Sequence, residues 1–437
     1  MKNIEVEIIS SKIIKPSSPT PNHLRHYQLS LIDQQTPRIH NPFLFYYALN
    51  GDQAKSVSEI SHNLSNSLSQ ALTLYYPLAG REINDQFVDC NDEGIPFLET
   101  RVKSQLSDFV KNPVDPEELN KLLPFALDER AESALVGVQL NIFESGGIAI
   151  GICISHHIAD ALSSIIFIKT WMEIARGEEN NIVRPDFISA EFFPPKNVDG
   201  YDPTRFISKN ITTKRFVFNA FAIEALREKY EQNNKTLENP RRPSRVDVVS
   251  AFIWTRFMAT IINPKLSLGQ PEKFYTVGQA VNLRPKFDPP LPEHSFGNYY
   301  WVPVVALPLS SGEESCSWVI KKIREEIRNG FKDYVEKLKK HGQEHLDTLK
   351  KGHERFIREE VVCLGCTSLC RFPLYETDFG FGKPIWVSSA ARPLKNTAGF
   401  MDTKGGDGIE AYISLKDEEM ALFEVDEEFL AYVSPFG

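Results

Sequence analysis

In the stretch ISHHIADALSS, residues 154–164, a β-branched run leads into two adjacent histidines, and an aspartate follows four residues after the first. A neutral imidazole titrates near neutrality, so His156 can take a proton from a hydroxyl as that oxygen attacks a carbonyl. Asp160 could then hold the loop, either through His156 or through a distant arginine. The same letters have a plainer reading. Asp is a favoured helix N-cap, and Asp160 precedes an apolar-periodic run. A lone histidine beside a strand is more often a satisfied core or loop residue, and among ten histidines and many aspartates one chance H-x-x-x-D is unsurprising. Taken alone, the motif leaves both readings open.

Other constellations carry less. Cys363-x-x-Cys366, with Cys370 nearby, has the look of a metal or redox pair, but there is no second CxxC, and VVCLGCTSLC reads as a buried strand. His341 and His345 have zinc-ligand spacing without completing H-E-x-x-H, on a stretch whose alternating charges indicate a solvated face. No metal site is expected. There is no G-x-S-x-G elbow.

The elements that must carry these residues follow from periodicity. Residues 4–14 alternate as a strand, ended by the proline-rich 15–21. Val57, Ile60, Leu64, Leu68 and Leu72 mark an amphipathic helix over 57–75, broken at 76–81 by Pro77 and Gly80. Two β-branched runs in 135–154 flank Ser145-Gly146-Gly147, a hairpin whose second strand delivers His156. Leu162, Ile165, Ile166, Trp171 and Ile174 then predict a helix, with Gly177 as its stop. Residues 192–213 lack periodicity and read as a crossover. Beyond them come a strand at KRFVF, a helix near 220–231, and a helix opened by Ser244-x-x-Asp247, a capping box with Asp in place of Glu. Residues 318–360 are helical and charged.

At 437 residues two domains are the natural expectation: 1–191, the 192–213 crossover, and 214–437. A hydrophobic fraction of 42% supports buried cores over most of the length. A net charge of −9 without a basic block argues against nucleic acid as a partner. No apolar stretch approaches the ~20 residues of a spanning helix, and the opening residues have no apolar core of a secretory signal. Six cysteines are too sparse for a disulfide scaffold. The expectation is a soluble cytoplasmic protein with reduced thiols and no membrane partner.

A second landmark, DFGFG at 378–382, lies about 220 residues beyond the histidines. With it, IKPSSPTP near the start, YPLAGR at 76–81, QAVNLRP at 279–285, FGN at 296–298 and MDTKGGDGIEA at 401–411 fall in one order. Jointly these motifs resemble the plant BAHD acyl-CoA acyltransferase family over essentially the whole chain. Within it the chain is most similar to the vinorine synthase and salutaridinol acetyltransferase group, whose members mostly esterify alkaloid alcohols.

The resemblance implies an α/β fold of two similar-sized chloramphenicol-acetyltransferase-like domains, each a mixed sheet with helices, with a solvent channel between them. It implies no permanently bound cofactor, acyl-CoA as co-substrate, a small-molecule alcohol as acceptor, and a monomer. His156 matches the catalytic histidine and His157 a variable position. Asp160 matches the motif's aspartate, which pairs with an arginine, here Arg284. Asn282 belongs to the same segment. Thr367 and Ser368 match a stretch lining the acyl and acceptor pocket. Asp378, Gly380 and Gly382 match a motif that supports the architecture away from the chemistry. Phe381 and Leu369 stand where the family usually has Trp, which argues against a planar acceptor. Lys383 is a candidate for the CoA phosphates; Asn282, Thr367 and Ser368 are candidates for the oxyanion donor. An acylsugar-type enzyme, an N-acyltransferase and a non-catalytic small-molecule-binding relative are the alternatives.

Overall fold

The computed structural model describes residues 4–49, 56–111, 114–128, 134–144, 146–199, 201–232, 242–261, 273–306, 313–340 and 342–434. The chain forms two compact units. The first comprises Met1–Thr204, Arg284–Tyr299 and Phe372–Pro393; the second comprises Arg205–Leu283, Tyr300–Arg371 and Leu394–Gly437. The change of unit at Thr204 falls inside the expected crossover. The continuous second domain is corrected, however: two later segments belong to the first unit and take Arg284 and the DFGFG motif with them.

The first unit is built on a six-stranded mixed sheet. Its strands are β1 (Val6–Ile14), β2 (His40–Tyr47), β3 (Ile95–Val102), β4 (Val136–Phe143), β5 (Ile148–Ser155) and the short strand Trp386–Ser388. They lie in the order β1-β3-β4-β5-β2 followed by Trp386–Ser388. Only β3 and β4 run parallel; the other neighbours are antiparallel. The expected hairpin is β4–β5. Its Gly146 has a φ of +84°, in the left-handed region that glycine permits, and Ser145 lies outside the described residues. Every residue of β2 and β5 is buried, which is why both read as near-continuous apolar runs without alternation.

Two helices support this sheet. Helix α1 (Val57–Leu74) begins in a capping box between Ser56 and Glu59, and its stripe of Ile60, Leu64, Leu68 and Leu72 is buried as the spacing predicts. Helix α2 (Ala161–Ala175) is capped by Asp160. At its other end Glu178 N–H donates to the Glu173 carbonyl and Gly177 N–H to that of Ile174, with Gly177 at φ +73°. That is a Schellman stop, at the glycine the sequence indicated. The Trp171 indole of α2 donates to the Leu64 carbonyl and the Ser67 hydroxyl of α1, at 3.1 and 3.0 Å, so the two helices are locked by polar as well as apolar contacts.

The second unit repeats the architecture. Its strands are β6 (Ile211–Phe218), β7 (Phe274–Gln279), β8 (Val304–Ala306), β9 (Val361–Ser368), β10 (Thr397–Asp402) and β11 (Ile409–Lys416). They lie in the order β8-β7-β9-β10-β11-β6, with β9 parallel to both of its neighbours. Helices α3 (Ala220–Gln232) and α4 (Arg245–Ile261) pack beneath it, joined by Phe218, Phe252, Trp254, Leu364, Phe400 and Ile413 in one core. The box at Ser244 and Asp247 forms reciprocally, at 2.8 and 3.1 Å. The charged stretch forms α5 (Glu313–Lys340) and α6 (Gly342–Ile357).

Strand β5 has no room for added volume. A Cβ at Gly151 would run into the carbonyl oxygen of Leu122, a backbone atom that cannot rotate away. Gly151→Ala is therefore expected to destabilise the protein by about 1–3 kcal/mol, read as a lower urea midpoint. An unchanged midpoint would show that the strand has slack the packing denies.

Candidate active site

Strand β5 ends at Ser155, and His156 begins a turn that reaches helix α2 four residues later. The turn is tied down on both sides. The His156 N–H donates to the Ile39 carbonyl at 2.8 Å, and the His156 carbonyl accepts from the Asn298 side-chain amide at 2.8 Å. His156 remains partly exposed while His157, Ile158, Ala159 and Asp160 are buried. Burial, followed by the positive charge of Arg392, pushes the His156 imidazole down to about 4, against the opposing pull of Asp160 and of backbone hydrogen bonding. The ring is therefore neutral at pH 7 and able to accept a proton.

Asp160 is both of the things its letters offered. One carboxylate oxygen accepts from the Ser163 N–H at 2.9 Å and caps α2. The same group receives Arg284 in a two-pronged pair, at 2.7 and 3.2 Å, and the Tyr299 N–H at 3.0 Å. Burial alone would raise the Asp160 pKa, but the charge and hydrogen bonds of Arg284, with those of Ser163 and Tyr299, hold it below the ordinary carboxylate range. Arg284 is only 1% exposed and spends its remaining donors on the Ser295 and Gly297 carbonyls and the Ser163 hydroxyl. Its guanidinium also lies over the Tyr299 ring, 4.6 Å from the centroid. Asp160 thus holds the turn through Arg284, and its carboxylate oxygens are committed to these partners.

Sequence reasoning missed three participants. Asn298 donates from its amide to His156 and, at 2.8 Å, to Asp33, whose same oxygen also takes the Asn298 N–H at 3.1 Å. Both residues are fully buried, and burial raises Asp33 to about 6 despite its bonds to Ser30 and Asn298. FGN was visible as a motif, but no spacing rule links residue 298 to residue 156. The third is Arg392, whose charge acts on His156. His157, assigned no chemistry, is buried against Glu82 at 3.1 Å, with Arg38 on the other Glu82 oxygen. Burial would raise the Glu82 carboxyl, and His157 and Arg38 pull it below its usual value.

The DFGFG motif is a backbone knot within the first unit. One Asp378 oxygen accepts the N–H groups of Gly380 and Gly382 at 2.8 and 2.9 Å, and both glycines sit at positive φ. The Asp378 carbonyl accepts from Arg176 at the end of α2, and Phe379 packs edge-on against Trp171. The Phe381 ring sits edge-on to Tyr47. Lys383 pairs with Glu376 on the surface.

Thr367 and Ser368 close strand β9 in the second unit, where the Ser368 hydroxyl accepts the Cys370 N–H. Asn282 is an exposed residue of the two-residue strand Val281–Asn282 in the same unit. Leu369 is buried, with its N–H on the Phe400 carbonyl. Cys363 and Cys366 fall on opposite faces of β9, as a spacing of three requires, and all six cysteines are free. His345 packs edge-on to Tyr334; His341 lies outside the described residues. Among the described residues no cluster of three or more metal-ligating side chains forms.

A family model described as the Transferase family matches residues 4–430. Limonoid 21-O-acetyltransferase of Melia azedarach is 37% identical, over 99% of both chains. Stemmadenine O-acetyltransferase of Catharanthus roseus is 36% identical, over 97% of both. The crystal structure of vinorine synthase, a Rauvolfia serpentina protein, matches with a TM-score of 0.84 at 35% identity, covering 99% of each chain.

The buried ion pair generates a prediction that needs no substrate. Asp160→Ala leaves Arg284 charged and uncompensated, with an expected loss of about 3–5 kcal/mol. Because the Asp160 pKa is depressed in the fold, its contribution is complete above the ordinary carboxylate range and is lost as pH falls through the folded value. The stability gap between wild type and Asp160→Ala, measured by urea titration, should therefore close on strong acidification. A gap that is small at pH 7 would contradict the pairing.

Proposed function

The chain belongs to the Transferase family, the BAHD acyltransferases, and on that premise we propose that it transfers an acetyl or other short acyl group from acyl-CoA to a hydroxyl of a plant specialised metabolite, with His156 as general base. The enzyme is an acyl-CoA-dependent O-acyltransferase and acyl-CoA is its co-substrate. The observation that carries the reading is the state of His156: neutral, partly exposed, and fixed through its own N–H and carbonyl.

In the proposed ternary complex the imidazole removes the hydroxyl proton as the oxygen attacks the thioester carbonyl. The tetrahedral oxyanion then expels CoA thiolate, and the imidazolium returns its proton to the sulfur. No acyl-enzyme is required. Holding both substrates at one ring supplies proximity, and an oxyanion donor adds to it. Asn282, Thr367 and Ser368 are proposed as substrate-binding residues. Asp160 and Arg284 hold the turn, and Asp378, Gly380 and Gly382 brace the end of α2.

We assign an alkaloid alcohol as acceptor, on the strength of the relatives named for stemmadenine acetylation and vinorine synthesis. A limonoid alcohol is the second reading, favoured by a relative of equal coverage. Among the described residues no helix is long and apolar enough to cross a membrane. A cytoplasmic monomer is the proposed working form; six free thiols suit a reducing compartment.

The test is product formation from acetyl-CoA over a panel of alkaloid and limonoid alcohols, with wild type and His156→Ala. The variant is expected to lose about 10²–10⁴-fold in turnover while still binding acetyl-CoA. Full residual activity would remove the base from His156.

A further inference from the structure

Arg392 follows the strand Trp386–Ser388 by four residues. That strand pairs with β2 so that Trp386 faces Tyr46 and Ser388 faces Leu44. The chain beyond Ser388 therefore runs toward the His40 end of β2. His40 in turn faces Ser155, the last residue of β5 before His156. Four residues of extended chain span about 13 Å, the same stretch that separates Leu44 from His40. The sheet register thus directs Arg392 to the edge at which the catalytic turn begins. The approach is pinned rather than loose: Ser388, Ser389, Ala390 and Ala391 are buried, and the Ala391 N–H donates to the Pro116 carbonyl at 3.1 Å.

What sets Arg392 apart is the lack of a counter-charge. Among the described residues it makes no hydrogen bond and no ion pair, and no carboxylate acts on it. Among the described residues of this unit, Arg284 is matched by Asp160, and Arg38 by Glu82 and Asp85. Its enclosure lowers the guanidinium to about 10, so it remains a cation at pH 7. Arg392 is part-buried, and a part-buried charge without a partner still loses some of its hydration. A cation beside a general base is also a handicap, because it opposes the imidazolium the reaction must form. Both costs fall when a negative group sits against the guanidinium.

We propose that Arg392 is the recognition site for a carboxylate on a substrate held at His156. Guanidinium and carboxylate meet in a two-pronged geometry that a neutral ester or methyl group cannot reproduce. The carboxylate can come from the acyl donor, as the half-thioester of a dicarboxylic acid, or from the acceptor, as a hydroxy acid. Binding it would cancel the charge that opposes proton uptake by His156 and raise the basicity of the imidazole as the complex assembles. Substrates with a carboxylate would then be favoured in both binding and turnover. The inference rests on His156 as the reacting base only for this last consequence; the binding preference stands apart from turnover.

Equilibrium titration with matched probes tests it. For the donor arm, malonyl-CoA is compared with propionyl-CoA; for the acceptor arm, 4-(hydroxymethyl)benzoate is compared with its methyl ester. In the wild-type enzyme one of the two anionic probes should bind at least about tenfold tighter than its neutral twin, a difference of about 1.4 kcal/mol. In Arg392→Gln that preference should shrink to within about twofold, with the neutral twin unaffected, while Arg392→Lys keeps part of it. The arm that shows the preference identifies which substrate carries the carboxylate. Equal binding of each pair in wild type, or a preference that survives Arg392→Gln, overturns the proposal. So does a uniform weakening of both CoA thioesters, which would assign Arg392 to the CoA phosphates. The same titrations on His156→Ala separate the two readings: the binding preference persists there whether or not His156 proves to be the base.

Discussion

The bidentate pair between Asp160 and Arg284 is the constraint on which the site depends. Both groups are buried, and a buried charge is tolerable only when its partners are complete. Here they are complete on both sides. The carboxylate takes Arg284, the Ser163 N–H and the Tyr299 N–H; the guanidinium takes Asp160, Ser163 and the carbonyls of Ser295 and Gly297. The first turn of α2, the short turn before it and the segment Arg284–Tyr299 are therefore one hydrogen-bonded body. His156 opens that turn. Its ring is positioned by backbone anchors at Ile39 and Asn298, which the same body supplies or abuts. The aspartate serves the chemistry by holding geometry.

Among the described residues, charge is arranged around this body in matched sets, with Arg392 apart from them. Glu82 serves His157 and Arg38, and Asp33 accepts from the Ser30 N–H and Asn298. Partial burial and the positive charge of Arg392 both disfavour the charged form of His156. A neutral imidazole costs little to bury, whereas an imidazolium would be opposed by the neighbouring Arg392 charge. The unliganded protein thus keeps the proposed base in its proton-accepting form. The penalty is reduced basicity, which a bound negative group would relieve.

Local pattern made the helices legible. The Ser244 box, the Asp160 cap, the α1 stripe and the Gly177 stop all involve residues within four positions of one another, where propensity and capping act. The β4–β5 hairpin was legible for the same reason. Strand β2 was not. HNPFLFYY is buried on both faces, so it shows no alternation, and Pro42 argues against a central strand. The proline is tolerated because Trp386–Ser388 pairs only with Leu44–Tyr46, so the Pro42 position has no ladder partner on that side. At the site, His156, Asp160 and Arg284 were legible through the family resemblance, but Asp33, Asn298 and Arg392 were not. Asn298 acts through hydrogen bonds across 265 and 142 residues of chain, and Arg392 through its charge across more than 200, which no spacing rule encodes. The domain division failed at the same point: chain continuity is a local property, whereas membership of a packed unit is not.

The central claim is that His156 is held neutral by its surroundings well below the pH at which an ordinary imidazole gains its proton. Carbon-13 labelling of the histidine rings, with assignment by His156→Gln, allows that one ring to be titrated by NMR in the unliganded enzyme. The account predicts no protonation through the ordinary range near 6.5 and a midpoint at about 4. A midpoint at or above the ordinary imidazole value would contradict it.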